Sequence, residues 1–321
     1  MKTIAVMTSG GDSPGMNPCI RAVVRTALGK GLSVLGIYGG YRGLMNGNYR
    51  PMGARDVGGI LQHGGTILQT ARSLEFETPQ GRLKALREMN TAGIEGLVVI
   101  GGDGSLRGAL SLAKEGFPVV GVPASIDNDI FGTDMCIGVD TALNTIVDAI
   151  DKLRDTATSH NRAFLIETMG RESGYLAQQA GIISGAEMVL IPETERPLDE
   201  IVKTVENAYI RGKTHCIIVI AEGFHIKAAQ LADQISATTT GFDTRVTILG
   251  HIQRGGRPTA FDRMLATRFG VHAVNMLVSG QQGVVTVLEG REIKSLPLET
   301  VVSNKRQISP EYLEMGKMLA R

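Results

Sequence analysis

The chain contains no tryptophan, and aromatic residues make up only 4% of it. Stacking platforms of the kind that hold single-stranded nucleic acid are therefore not expected. It has almost no excess of charge: 33 Lys and Arg against 32 Asp and Glu leave a formal net charge of +1. Nothing global draws it to nucleic acid or to an anionic membrane, so any anion it binds must meet a local group of cations. Cysteine is scarce, present only as Cys19, Cys136 and Cys216. An odd count with no Cys-x-x-Cys pair supports neither a disulfide framework nor a zinc site, and fits buried thiols in a reducing cytoplasm. No run approaches 18 apolar residues, so no membrane-spanning segment is expected. The opening Met-Lys-Thr-Ile-Ala-Val is too short for a secretory leader and lacks a cleavage pattern.

What the chain does have is glycine, 41 of its 321 residues, often paired directly after apolar runs. Hydrophobic residues at 43% and charged residues at 20% exclude a disordered chain. The length suits about two domains. Short β-rich runs alternate with amphipathic helical stretches. Strands are expected at 3–8, 33–38, 96–100, 118–122, 163–167, 188–191, 216–220, 246–249 and 283–288. Helices are expected at about 15–28, 83–90, after 105, at 141–156, 175–183, 198–209, 228–236 and 261–277. Continuous apolar strands between helices mean a mostly parallel sheet covered on both faces. The number of units suits two Rossmann-like three-layer α/β/α domains. No low-complexity linker divides them, so the domains are expected to exchange chain, with a split near 138 and another near 250. In such sheets ligands sit beyond the C-terminal ends of strands.

Those strand ends carry the informative motifs. Ser9-Gly10-Gly11-Asp12-Ser13-Pro14-Gly15 has glycines that let backbone approach a ligand, followed by a helix N-terminus with free N–H groups. Alone it is equally a tight strand–helix turn. Gly101-Gly102-Asp103-Gly104-Ser105 adds a carboxylate among glycines, which suits a divalent cation bridging to phosphate; this signature indicates phosphoryl transfer rather than a particular substrate. Ser125-Ile126-Asp127-Asn128-Asp129 places two carboxylates two residues apart, so that one can serve a metal and the other take a proton. His160, Arg162, Arg171, Arg245, His251 and Arg254 recur near other strand starts and ends, and as a set they imply a small anionic ligand, most simply a phosphate. Gly212-Lys213-Thr214 imitates the end of a P-loop, but Asn207 holds the upstream glycine position and the segment runs from helix to strand.

In this order and spacing, SGGDSPGMN, GGDGS, SIDNDI, MGR and GHIQRGG resemble the bacterial 6-phosphofructokinases over residues 3 to about 288. The resemblance implies Mg²⁺-dependent phosphoryl transfer from ATP to the 1-hydroxyl of fructose 6-phosphate. It makes Asp127 the general base and Asp103 the magnesium-linked carboxylate, with Asp129 close enough to assist. Gly11 and Arg72 would contact the ATP phosphates, and Ser73, Gly102, Gly104 and Ser105 would line the nucleotide. Ser125, Ile126, Met169, Gly170, Arg171, Glu222, His251, Ile252, Gln253 and Arg254 would hold the sugar phosphate, with Arg162 and Arg245 reaching it from a neighbouring subunit. Arg171, Gly11 and Arg72 join Asp127 in the catalytic group.

A second anion site is implied at Arg21, Arg25, Arg154, Gly185, Glu187, Arg211, Lys213, Thr214 and His215, taking ADP or phosphoenolpyruvate between subunits of a homotetramer. Residues 1–138 plus 251–301 would form the ATP-binding domain, and 139–250 plus 302–321 the sugar-phosphate-binding domain. The expected partners are these small molecules, in the cytoplasm, with no nucleic acid and no membrane. Some positions depart from the family pattern. Ser73 and Glu77 replace a frequent aromatic and a frequent basic residue, and Arg107 is the alternative contact for the base. Ala54 and Thr214 replace frequent cations of the effector site. Pyrophosphate-dependent relatives carry bulky residues at the positions of Gly104 and Ala124; the small ones here favour ATP.

Overall fold

A computed structural model describes residues 1–238 and 241–319. The chain forms two compact units. One consists of Met1–Thr141 with Arg254–Arg306, the other of Ala142–Gln253 with Gln307 onward. The breaks fall at 141, 253 and 306, each a few residues later than the expected 138, 250 and 301.

The first unit opens with β1 (Thr3–Ser9), α1 (Met16–Gly29), β2 (Ser33–Ile37), α2 (Gly40–Met45) and β3 (Tyr49–Pro51). It continues with α3 (Pro79–Thr91), β4 (Gly96–Gly101), α4 (Asp103–Lys114) and β5 (Val119–Pro123). Helix α5 (Val139–His160) carries the chain into the second unit. There follow β6 (Arg162–Thr168), α6 (Tyr175–Ile183), β7 (Met188–Leu190), α7 (Leu198–Ile210), β8 (Cys216–Ala221), α8 (Ala228–Ser236) and β9 (Asp243–Ile248). The chain returns to the first unit for α9 (Ala260–Val278), β10 (Val284–Glu289), β11 (Glu292–Pro297) and α10 (Leu298–Ser303). Helix α11 (Pro310–Leu319) belongs to the second unit.

The first sheet has seven strands in the order β11-β10-β5-β4-β1-β2-β3, parallel except at its two antiparallel edges, β3 and β11. Every residue of β4 and β5 is buried, as a strand covered on both faces requires. Ile4, Val6, Val98, Ile100, Val120 and Val122 form one core with the inner faces of α1 and α9. Each such side chain contributes roughly 1.5–3 kcal/mol by leaving water. The second sheet has four parallel strands, β7-β8-β6-β9, and its own core of Leu165, Ile218, Ile220, Ile201 and Leu231. No helix among the described residues is long and apolar enough to cross a membrane.

Several elements differ from the sequence expectation for one physical reason. Edge strands are half exposed and need no apolar run. β3 reads Tyr-Arg-Pro and β11 reads Glu-Ile-Lys-Ser-Leu-Pro. β9 starts at Asp243, three residues before the expected 246, because its polar first half pairs only with β6. The GGDGS stretch is not a loop throughout: Asp103 opens α4, with Gly102 as the N-terminal cap residue.

Candidate active site

In the first unit the chain runs from β1 to β2 on one side and later returns to β4 on the other, so the order of the strands reverses between β1 and β4. Beyond the C-terminal ends of such a pair a ligand crevice forms. Ser9 pairs with Gly101 there, which sets the two glycine motifs side by side. Gly11 is exposed, and the Arg254 guanidinium lies directly over it. A Cβ built at Gly11 would stand 2.4 Å from Arg254 Nη1 and 3.0 Å from Cζ. Arg254 Nη1 in turn donates to the carbonyl of Asp12 at 3.2 Å. A cation over exposed backbone at a strand end is an arrangement that binds phosphate.

Asp103 sits in the first turn of α4, where the helix dipole favours negative charge. Its carboxylate accepts from Arg107 Nε at 2.9 Å, and both side chains are about half exposed. Arg107, the alternative contact for a base, is thus turned onto Asp103. A Cβ at Gly104 would meet nothing within 4 Å, so the space in front of this turn is open. Ser105 is buried beside Gly101. Arg72 is exposed, and Ser73 Oγ accepts from the Phe76 N–H at 3.3 Å.

The segment after β5 holds Asp127 almost fully buried, at 4% exposure, while Asp129 is half-buried. The two carboxylates thus have different surroundings. Ser125 Oγ donates to Asp129 Oδ1 at 2.9 Å. Ile126 is wholly buried and packs beneath this segment.

In the second unit the C-terminal ends of β6, β8 and β9 carry Met169, Gly170, Arg171, Glu222, His251, Ile252 and Gln253, whereas Arg162 opens β6 and Arg245 lies inside β9. Glu222, just after β8, accepts from the N–H groups of Gly170 and Arg171 at 3.2 and 2.8 Å. Arg171 has φ 54°, a left-handed conformation unusual for arginine. It is held against Gly223, where an added Cβ would lie 1.9 Å from the Arg171 carbonyl oxygen. Gln253 is buried, with Oε1 accepting from Met169 N–H at 3.1 Å and Nε2 donating to the Gly250 carbonyl at 2.9 Å. Both ends of its amide are engaged inside the unit, so its side chain supports the turn from within rather than reaching a ligand. His251 and Ile252 are exposed on a short 3-10 turn, Gly250–Gln253.

Arg162 and Arg245 come together on adjacent strands through Asp243. Its Oδ2 forms ion pairs with both, 3.3 Å from Arg162 Nε and 2.6 Å from Arg245 Nη2. Asp243 was not singled out in the sequence. The sequence carried no usable signal for it, because the expected strand began only at 246 and Arg162 lies on another strand.

The remaining cations divide between the units. Arg21 and Arg25 lie on α1 of the first unit, where Arg25 Nη2 donates to the Ala54 carbonyl at 3.4 Å. Arg154, Gly185, Glu187, Arg211, Lys213, Thr214 and His215 lie in the second. Lys213 Nζ pairs with Glu187 Oε1 at 3.0 Å, and Glu187 Oε2 accepts from Ile217 N–H at 2.6 Å. Arg154 donates to the Ser184 carbonyl and faces His215 Nε2 at 3.2 Å. Burial pushes the His215 pKa down; Glu187 opposes this, and Arg154 and Lys213 add to it. This favours the neutral imidazole. Arg154 has only protons to offer, so Nε2 is the acceptor, and Nδ1–H donates to Thr158 Oγ1 at 3.1 Å. Arg211 and Thr214 are exposed, and Gly185 turns the chain with φ 62°.

A family model described as Phosphofructokinase matches residues 3–277. An ATP-dependent 6-phosphofructokinase of Halalkalibacterium halodurans is 52% identical over 320 residues, covering the whole of both chains. One from Shouchella clausii is 51% identical over 320 residues, again across both chains. Among solved structures, a phosphofructokinase from Saccharomyces cerevisiae superposes with a TM-score of 0.88 at 40% identity. It covers 94% of this chain, which spans 45% of that longer one.

Proposed function

Because the chain belongs to the phosphofructokinase family, we propose that it transfers the γ-phosphoryl group of ATP to the 1-hydroxyl of fructose 6-phosphate. The products are ADP and fructose 1,6-bisphosphate. The observation that carries this reading is the juxtaposition of two glycine motifs at the ends of β1 and β4, with Asp103 opening the helix that follows and Asp127 buried after the neighbouring strand β5. Phosphoryl transfer asks a protein for alignment and charge neutralisation more than for covalent chemistry. The backbone around Gly11, with Arg254 above it, supports phosphate binding in the first unit, to which the exposed Arg72 also belongs. Asp127 accepts the proton of the 1-hydroxyl, a contribution of roughly 10²–10⁴-fold. Its near-complete burial strengthens that role, because a carboxylate away from bulk water interacts more strongly with its target. The second unit supplies sugar-phosphate residues: Met169, Gly170, Arg171, Glu222 and His251, with Arg162 and Arg245 serving a neighbouring subunit of a homotetramer. Open space before Gly104 favours ATP over a short donor such as pyrophosphate.

Mg²⁺ belongs to the same reading. Among the described residues no three His, Cys, Asp or Glu side chains are grouped to hold a metal ion. A single carboxylate, Asp103, fits Mg²⁺, which keeps waters and substrate phosphate oxygens and takes only one or two carboxylates. Bound there, the ion would neutralise charge on the phosphates. The cations Arg154, Arg211, Lys213 and His215 support a regulatory site for ADP or phosphoenolpyruvate, completed by Arg21 and Arg25 of a neighbouring subunit, in a cytoplasmic enzyme.

The test is an assay coupled to fructose 1,6-bisphosphate formation, run with Mg²⁺, fructose 6-phosphate and either ATP or pyrophosphate. Faster turnover with ATP is expected. Faster turnover with pyrophosphate reverses the donor, and no bisphosphate from either donor overturns the acceptor.

A further inference from the structure

Between Asp127 and Asp129 stands a residue that no charge argument singles out. Asn128 is completely buried and has φ 49°, in the left-handed region that asparagine tolerates better than most residues. Both ends of its carboxamide are engaged. Oδ1 accepts from the Cys136 N–H at 2.9 Å, and Nδ2 donates to the Asp134 carbonyl at 3.2 Å. This orientation of the amide is the only one that satisfies both partners, since a backbone N–H needs an acceptor and a carbonyl needs a donor.

The segment Asn128 grips is itself anchored. Ile137 N–H donates to the Pro123 carbonyl at 3.1 Å, and Ala124 bridges Ile137 in parallel. Asp134 N–H donates to the Leu288 carbonyl at 2.8 Å, and Leu288 N–H donates to Thr133 Oγ1 at 3.0 Å, so the segment is tied to β10. Residues 125–136 thus form a loop closed at its base by backbone and stapled across its middle by one side chain. The staple sits one residue from the buried Asp127 carboxylate.

We propose that Asn128 is a positioning residue: its left-handed backbone and two-ended amide fix the direction in which Asp127 meets the acceptor hydroxyl. The inference rests on the reading of Asp127 as the base. Asparagine combines the two properties needed. Glycine adopts the backbone but has no amide. Alanine has no amide and resists the backbone. Aspartate has nearly the same shape, but in place of the donor it sets an oxygen against the Asp134 carbonyl. Misplacing a reacting group by about 1 Å can cost on the order of 10²-fold in rate, whereas substrate binding does not depend on that alignment.

The experiment compares Asn128→Gly and Asn128→Asp with the wild-type protein and with Asp127→Asn, measuring kcat, both KM values and the pH profile of kcat. Rates are normalised to nucleotide-binding sites by equilibrium titration, so that unfolded protein does not count. Asn128→Gly is expected to lower kcat at least ~10-fold with both KM values within about threefold. Asn128→Asp is expected to lower it as much and to move the acid limb of the profile upward, because a second carboxylate then adjoins Asp127. A kcat per site within twofold of wild type in Asn128→Gly overturns the proposal, as does a loss confined to KM or to thermal stability. Asp127→Asn separates the two ideas. If that variant turns over normally, the base assignment fails and this inference with it. If it is inactive while Asn128→Gly is unimpaired, only the positioning role fails.

Discussion

Replacing Gly11 by alanine puts a methyl group where the Arg254 guanidinium now lies. The added Cβ would stand 2.4 Å from Nη1 and 3.0 Å from Cζ, against ordinary contacts of roughly 3.5–4.0 Å. The guanidinium must therefore retreat by about 1 Å. Gly11 has no left-handed φ, so alanine meets no backbone strain there. The residue is exposed and the colliding atoms are the tip of a flexible side chain, so the fold and Tm should stay close to wild type. The hydrogen bond from Nη1 to the Asp12 carbonyl is already 3.2 Å long and on the protein surface, so its loss costs little stability. The same retreat takes the guanidinium off the proposed phosphate position, and one charge-assisted hydrogen bond lost to the ligand, about 1.5–3 kcal/mol, corresponds to a fall of roughly 10- to 150-fold in kcat/KM. Steady-state kinetics with both substrates measures this. A double-mutant cycle identifies the cause. If the methyl acts through Arg254, adding Gly11→Ala to Arg254→Ala should cost almost nothing further. Additive losses, or a Gly11→Ala protein within twofold of wild type, would refute the reasoning.

Two further perturbations probe the supporting structure. Asp262 is fully buried at the start of α9, where burial lifts its pKa from 3.8 to about 6 against hydrogen bonds from Thr141 and Gly138. A carboxyl raised on folding contributes stability that is fully present below about 3.8 and lost as pH rises through about 6. Wild type should therefore lose about 2 kcal/mol between pH 4.5 and 7.5 relative to Asp262→Asn, measured by denaturant unfolding; parallel profiles would contradict it. Asp243→Asn removes the anion shared by Arg162 and Arg245. Exposed pairs are weak, so KM for fructose 6-phosphate should rise only about 2- to 10-fold at low salt, with kcat nearly unchanged and the difference shrinking as salt is added. An unchanged KM at low salt would count against this role.

The parallel interior of both units was legible because buried strands advertise themselves. Gly96–Gly101 and Cys216–Ala221 are wholly buried and read as unbroken apolar runs. Their glycine-rich ends located the crevice in the first unit for the same reason, since parallel sheets bind ligands beyond their C-terminal ends. The edges were not legible. Strand β11 alternates polar and apolar residues weakly, and it exists because a turn at Gly290 folds it back on β10. Helix α11 is mostly exposed and carries no distinct start signal beyond Pro310. Among site residues, the carboxylates and arginines could be named from their types and places. What holds them could not. Asn128 works through backbone of residues 134 and 136, and Asp243 through a partner on a strand far away in sequence. The engaged amide of Gln253 is the converse case, a polar side chain in a functional motif that folding has already used.

The most direct measurement is a rapid-quench experiment with γ-phosphoryl-labelled ATP and fructose 6-phosphate, comparing wild type with Asp127→Asn. Label should appear on the C1 oxygen of the sugar with wild type, and at least ~10²-fold more slowly with the variant at equal substrate occupancy. Label released mainly as inorganic phosphate, or transferred by Asp127→Asn at a rate near wild type, would contradict the account.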